Sequence, residues 1–271
     1  MNNQYLAILN SRAKSAIELA LWPVYSQLES TDLNDKVLAI QTTRISPEKS
    51  SADDNSGYKN FNLALHVGDC AQQVEHNRQS LQKLLPAKTT IQWLEQVHGN
   101  TVAEISKVTK KAIIADAMVT REKNIALAIM TADCLPILLV SKQGNEIAAI
   151  HGGWRSLATN IITNTLDKMQ TAADEIYAWL GPCIGQEAFE VGSEVQKAFV
   201  DQGSVFSQGF SKQKNGKYFA NLHIIAILQL NNLGIKHIST LSECTYFQPE
   251  KYYSYRKYAT TGRMATVISL L

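Results

Sequence analysis

Four short segments place metal-capable or nucleophilic side chains beside glycine or proline. They are Gln96-Val97-His98-Gly99, Ala132-Asp133-Cys134-Leu135-Pro136, His151-Gly152-Gly153-Trp154-Arg155 and Leu180-Gly181-Pro182-Cys183-Ile184-Gly185. Each lies next to the end of a predicted strand, where a side chain can project from a rigid sheet. Two histidines and a cysteine so placed are the inventory of a zinc site with three protein ligands and one open position, and the open position makes such a site catalytic. The same residue types also supply a cysteine nucleophile with a histidine base. Taken one at a time, a strand-end histidine is more often structural and a lone cysteine more often a small buried hydrophobe.

The elements that must position these groups follow from hydrophobic pattern. Residues 11–29 have helical spacing interrupted by Pro23, 37–42 reads as a strand, and 46–60 is a polar surface loop. A helix is predicted over 74–85, stopped by Pro86. Strands follow at 90–93, 101–105, 117–120, 125–130, 136–140 and 147–151. The runs 125–130 and 136–140 are apolar almost throughout, the pattern of strands covered on both faces. Beyond them come a helix over 154–169, a strand at 176–180, a helix at 193–200, a polar loop at 202–217, a helix at 222–233, and strands at 237–241, 252–255 and 263–270. No internal repeat or composition break divides the chain. The expectation is one mixed α/β domain over residues 1–271, with a large central mixed sheet flanked by helices and residues 1–35 as an N-terminal extension.

Composition narrows the function classes. Of 271 residues, 45% are hydrophobic and 18% charged, and 26 Lys and Arg against 24 Asp and Glu leave a net charge of +2. That balance excludes a disordered chain and a strongly basic nucleic-acid binder. No apolar run approaches the roughly 18 residues of a membrane helix, and no signal-peptide pattern opens the chain, so a cytoplasmic location is expected. The four cysteines include no C-x-x-C pair, which points away from a disulfide framework.

A wider set of ordered motifs surrounds the four segments. It begins at Gln41-Thr42-Thr43-Arg44 and continues through Asn62-Leu63-Ala64-Leu65-His66-Val67-Gly68-Asp69, Ala115-Asp116-Ala117-Met118-Val119-Thr120 and Phe189-Glu190-Val191-Gly192 to Tyr253-Ser254-Tyr255-Arg256 and Thr261-Gly262-Arg263-Met264-Ala265. Together with the four segments, these resemble the YfiH family. That family is also called the multicopper polyphenol oxidase or laccase-domain family, and its better-supported activity is purine nucleoside phosphorolysis. The resemblance covers most of the chain. It implies a YfiH-like fold, similar to that of a deamidating cytotoxic necrotizing factor toxin.

The resemblance further implies that His98, Cys134 and His151 are metal ligands, for zinc or alternatively copper. Thiolate and imidazole suit zinc chemically. Adenosine, inosine and methylthioadenosine with phosphate are the implied substrates, adenosine deamination the side activity, and a monomer or small homo-oligomer the implied state. Asp133 is a candidate to orient a ligand histidine or act as a base, alongside Cys134 and His151 as catalytic groups. Arg44, Arg155, Arg256 and Arg263 are candidates for a phosphate fork, aided by the backbone N–H groups at the start of the Trp154 helix. His66 is a pocket candidate outside the metal set, and Cys183 reads as a pocket wall. Trp154, Phe189, Tyr253 and Tyr255 offer faces on which a purine can stack. The chain departs from the family pattern in the Ile45-Ser46-Pro47 loop, in His151-Gly152-Gly153-Trp154-Arg155-Ser156, where an Ala and a trailing Gly are usual, and at Asn221, where an Asp is common.

Three rival functions use the same residues. A multicopper oxidase with a type 1 copper and a trinuclear cluster needs about ten histidines, largely in His-x-His pairs, by extension of copper's imidazole preference; this chain has six histidines and no such pair. A hydrolase, whether a deamidase or an editor of peptidoglycan precursors, would use Cys134 with His151 as its base, or zinc. A structural zinc protein would need a fourth protein ligand.

Overall fold

The computed structural model describes residues 15–23, 30–48 and 57–271. Its strands form two main sheets rather than one. The first contains β1 (Ile17–Leu19), β2 (Val37–Thr42), β3 (Thr90–Gln92), β8 (Ile125–Thr131) and β16 (Met264–Leu270), in the order β1-β2-β16-β8-β3. The second contains β5 (Val102–Glu104), β7 (Ala117–Thr120), β9 (Leu135–Ser141), β10 (Ile147–Gly152), β11 (Ile176–Leu180) and β15 (His237–Thr240), in the order β15-β11-β9-β10-β7-β5. Neighbours are antiparallel except for β3 with β8, β5 with β7, and β11 with β15. Two small sheets complete the set. One pairs β4 (Leu94–Glu95) with β6 (Ile113–Ile114), and the other joins β12 (Glu190–Val191), β13 (Phe210–Lys212) and β14 (Tyr218–Ala220).

The period of two along each strand sorts the side chains into four layers. Leu127, Ile129, Val37, Ala39 and Ile268 of the first sheet share one buried cluster with Leu138, Val140, Ile147, Ala149 and Trp179 of the second, so the sheets face each other. The alternate residues of the first sheet, Leu38, Ile40, Ala126, Ala128 and Val267, pack outward against Phe61, Leu63 and Leu81, the last on helix α2 (Ala71–Gln82). The alternate residues of the second, Leu135, Ile137, Leu139, Ala148, Ile150 and Ala178, pack against four helices. These are α3 (Trp154–Ala158), α4 (Ile161–Leu166), α5 (Ser193–Val200) and α6 (Leu222–Asn232). The mixed α/β class is as the sequence predicts, but the strands divide between two stacked sheets. Strands buried on both faces read the same in sequence whether a helix or a second sheet covers them.

Local departures have local causes. Of the helix predicted over 11–29, residues 11–14 and 24–29 lie outside the described residues, and 17–19 is strand β1. Its backbone pairs with β2 in the register Ile17↔Thr42, while Glu18 accepts hydrogen bonds from Lys251 (2.5 Å) and Tyr252. Tertiary pairing has overridden a weak helical spacing, and this part of the expected extension belongs to the first sheet. The helix α1 (Ser30–Lys36) that leads into β2 was not predicted. Of the 46–60 loop, residues 49–56 lie outside the described residues. The helix expected over 154–169 breaks in two where Asn160 adopts φ 66°, a left-handed conformation that asparagine tolerates. The loop expected over 202–217 contains β13 and a 3-10 turn at Ser204–Gly209, and the strand expected over 252–255 is irregular chain whose Tyr252 and Tyr253 are buried. Among the described residues no helix is long and apolar enough to cross a membrane.

Leu127 is fully buried between the two sheets. Leu127→Ala is expected to lower unfolding stability by about 2–5 kcal/mol, the cost of lost burial plus an unfilled cavity, measured by urea denaturation.

Candidate metal and substrate site

The sheets deliver His98, Cys134 and His151 to one place. His151 sits on β10 next to its last residue, Cys134 lies in the tight connection between β8 and β9, and His98 follows β4. Their ligand atoms all lie within 4.8 Å of one another, and Cys134 Sγ is 3.8 Å from His98 Nε2. Gly153 closes over the trio, because a Cβ there would lie 3.1 Å from His98 Cδ2 and 3.2 Å from Cys134 Sγ. Any side chain at 153 would crowd the donor atoms.

Asp116, just before β7, sets the orientation. Its carboxylate lies 2.8 Å from His151 Nδ1 and accepts the backbone N–H groups of His98 (2.9 Å), Gly99 (2.7 Å) and Val97 (3.3 Å). Its own carbonyl accepts the N–H of His151 at 2.8 Å. With Nδ1 so engaged, His151 is left with Nε2 for a metal. The three N–H bonds also hold His98 at φ 59°, a left-handed conformation that costs on the order of 1–3 kcal/mol for a residue with a Cβ. Burial by itself would raise the Asp116 carboxyl, but the His151 imidazole and these N–H groups keep it below the ordinary carboxylate value.

The electrostatics suit a metal ligand set. Burial alone would push the Cys134 thiol up; the facing charge of His151 and hydrogen bonds to His151 and His98 outweigh it and bring the thiol down to about 6. Burial likewise opposes a charged His151, yet Cys134 and Asp116 raise it to about 9. Both directions favour a thiolate facing a charged imidazole. A divalent cation would take the place of that proton between soft and borderline donors. No described residue adds a fourth donor to the trio.

The trio opens into a cleft of about 460 Å³. Trp154, Phe189 and Tyr255 supply aromatic faces to it, and Met130, Ile184 and Leu222 apolar ones. His66, Arg155, Arg256 and Arg263 line it as well. The Arg155 guanidinium lies over the Trp154 ring at 4.3 Å from its centroid and makes no described hydrogen bond to protein, so its donors are free. Arg256 donates to the Glu190 carbonyl (3.1 Å) and lies over Phe189, and Arg263 donates to the carbonyls of Thr261 and Gly262 (both 3.0 Å). His66 is held below its ordinary value by partial burial and then by the charges of Arg263 and Arg78.

Other candidates fall elsewhere. Arg44 is not a cleft residue: it donates to the Pro249 carbonyl (2.5 Å) and lies over Tyr253, which is itself core. Asp133 lines the cleft but orients neither histidine. One carboxylate oxygen accepts the Thr245 hydroxyl and the other the Arg256 N–H, each at 2.6 Å, and its carbonyl accepts the Ile184 N–H at 2.9 Å. With φ 96° it anchors the loop that carries Cys134. Asp116 does the orienting expected of Asp133. Its motif was recognised, but nothing in the linear order ties residue 116 to residues 98 and 151. The expected phosphate cradle at residue 154 rests on a helix of only five residues, too short to align many peptide dipoles. Asn221 caps α6, its side chain accepting the Ile224 N–H at 3.0 Å, so the cap an aspartate would supply is kept. Of the remaining histidines, His76 pairs with Glu48, His223 contacts Cys183, and His237 stacks on Tyr177, all away from the trio.

Asp116→Asn is expected to weaken zinc retention by about 10–100-fold, the usual cost of losing a partner that orients a metal ligand. Competition with a chromogenic chelator measures it.

Comparison with known proteins identifies the family. A family model described as multi-copper polyphenol oxidoreductase laccase matches residues 43–271. The purine nucleoside phosphorylase YfiH of Escherichia coli (strain K12) is 40% identical over 216 residues, covering 79% of this chain and 88% of that protein. A purine nucleoside phosphorylase of Pseudomonas aeruginosa is 36% identical over 236 residues, 87% of this chain and 94% of its own length. A crystal structure of a Neisseria meningitidis protein superposes with a TM-score of 0.84 at 32% identity, covering 94% of this chain and 99% of that one. By sequence and by fold, the chain belongs to the YfiH family, the multi-copper polyphenol oxidoreductase laccase family of that model.

Proposed function

We propose that the protein is a zinc-dependent purine nucleoside phosphorylase that cleaves adenosine, inosine and methylthioadenosine with phosphate, with adenosine deamination as a side activity. The observation that carries the reading is the convergence, in one cleft, of the His98–Cys134–His151 donor set, three aromatic faces and three arginines. The phosphorylase names of the relatives support the same reaction. Zinc held by the trio would supply a Lewis acid with its open position toward the cleft.

The chain's own residues divide the remaining work. Trp154, Phe189 and Tyr255 hold the purine by stacking, and Met130, Ile184 and Leu222 keep water from that end. Arg155 offers its unengaged donors to phosphate, while Arg256 and Arg263, fixed by backbone carbonyls, add positive potential. Asp133 is the one carboxylate among the described residues lining the cleft, and its two oxygens are held by the Thr245 hydroxyl and the Arg256 backbone N–H.

The test is chromatographic. Zinc-loaded protein is incubated with adenosine, with and without phosphate. Adenine formed only with phosphate is the expected product, with inosine marking deamination. No turnover of adenosine, inosine or methylthioadenosine overturns the reading. Arg155→Ala is expected to raise the phosphate KM by about 10-fold or more, from loss of a charge-assisted hydrogen bond worth about 1.5–3 kcal/mol. An unchanged KM removes Arg155 from the phosphate site.

One observation favours a second reading. Cys134, His151 and Asp116 stand in the order of a nucleophile, its base and the group that orients the base, as in a cysteine hydrolase. Alkylation separates the two readings. Protection of Cys134 by zinc, lost on chelation, fits the ligand role, and rapid modification in the zinc-loaded protein fits the nucleophile.

A further inference from the structure

Two cysteines outside the cleft stand directly opposite each other. Cys183 follows β11 and Cys244 follows β15, and the two form an isolated parallel bridge beyond those strands, one residue out of their register. The register is fixed on both sides: Cys183 N–H donates to the Glu243 carbonyl (3.3 Å), and Thr245 N–H donates to the Cys183 carbonyl (3.0 Å). Neighbouring strands lie roughly 4.7–4.9 Å apart, inside the roughly 4.4–6.8 Å Cα separation that a disulfide spans. Residues opposed in a ladder project to the same face, so the two sulfurs lie on one side of the sheet.

That side opens into a second cavity of about 300 Å³, lined by both cysteines with His223, Asn221, Gln186 and Ser242. Cys244 is partly exposed, and its Sγ accepts the Gly185 N–H at 3.1 Å. A Cβ at residue 185 would lie 3.0 Å from that sulfur, so glycine leaves the approach open. Cys183 is buried, its Sγ 3.4 Å from His223 Nδ1 and 3.5 Å from the Ile184 carbonyl. His223 Nε2 lies 2.9 Å from the Gly181 carbonyl and so carries its proton there. Nδ1 is therefore the unprotonated nitrogen, turned toward the Cys183 thiol.

We propose that Cys183 and Cys244 are a reversible dithiol–disulfide pair that responds to small hydroperoxides entering this cavity. The Cys244 thiolate attacks one peroxide oxygen, the O–O bond breaks, and Cys244 becomes a sulfenic acid while hydroxide leaves. Cys183 then attacks the Cys244 sulfur. Its proton passes through His223 Nδ1 to the departing hydroxyl, and water and the disulfide are the products. Two thiols are oxidised and one peroxide is reduced, and a small-molecule dithiol reverses the change.

The test uses the full-length zinc-loaded protein and graded hydrogen peroxide, followed by alkylation and peptide mapping without reductant. The expected product is a Cys183–Cys244 linked peptide that dithiothreitol resolves. Cys244→Ser is expected to abolish the link and leave Cys183 as an alkylatable thiol. Cys183→Ser is expected to leave a Cys244 sulfenic acid that dimedone captures. Exposed Cys70 is the internal control. Recovery of Cys183 and Cys244 as alkylated thiols, at a peroxide dose that oxidises Cys70, would overturn the proposal without bearing on phosphorolysis.

Discussion

A fully buried carboxylate is tolerated only when its charge is matched, and around Asp116 the matching shapes the site. Its two oxygens engage three successive backbone N–H groups at residues 97–99 and the imidazole of His151. Each bond has a structural consequence. The N–H bonds bend the chain after β4 so that His98 faces the trio, and the imidazole bond selects which nitrogen of His151 remains available. The carbonyl of the same residue accepts the His151 N–H, so one position just before β7 fixes both histidines to a common frame. Without this anion the left-handed turn at His98 would lack compensation, and the two imidazoles would have no shared reference.

The third member of the trio is positioned by a different anchor. Asp133 joins three segments distant in sequence: it accepts from the Thr245 hydroxyl, the Arg256 N–H and the Ile184 N–H. Cys134 is the next residue, so the loops that frame the cleft and the loop that carries the thiolate are held together. Both anchors rest on the stacked sheets. β7, β8, β9 and β10 are buried along their whole lengths, so displacing any of their ends would disturb closely packed core. A site on strand ends of such a body starts with most of its side-chain freedom already removed, which favours binding by limiting the ordering left to do.

Much of this was legible in the sequence where the local signal was strong. The strands at Val37–Thr42, Ala117–Thr120 and Ile176–Leu180 and the helix at Ser193–Val200 have the predicted bounds, and the trio itself followed from recognisable motifs. What was not legible depends on contacts between distant residues. The division into two sheets is invisible to hydrophobic pattern, because Leu127 and Ala128 are equally apolar although one faces the second sheet and the other faces Phe61 and Leu63. The strand at Ile17–Leu19 depends on pairing with β2 and on Glu18 reaching Lys251. Arg44 and Arg155 are equivalent on paper. Only the fold places one against Pro249 and leaves the other with free donors in the cleft. The exchange of roles between Asp116 and Asp133 is of the same kind, since either carboxylate satisfies the residue type that the chemistry needs.

Charge and geometry together bear on the choice between the proposed phosphorolysis and multicopper oxidation. Arg155, Arg256 and Arg263 bring positive charge to one cleft beside the trio. Positive charge so placed favours anions in the cleft. A type 1 copper with a trinuclear cluster needs several more imidazoles close by. Of the six histidines only His66, His98 and His151 line the cleft, and the others are committed to Glu48, Cys183 and Tyr177 in other parts of the fold. The family description names an oxidase, yet this arrangement of side chains provides one three-donor centre inside an anion-attracting, aromatic-walled pocket. Under the proposed reaction, the arginines serve the anion and the aromatic faces the purine.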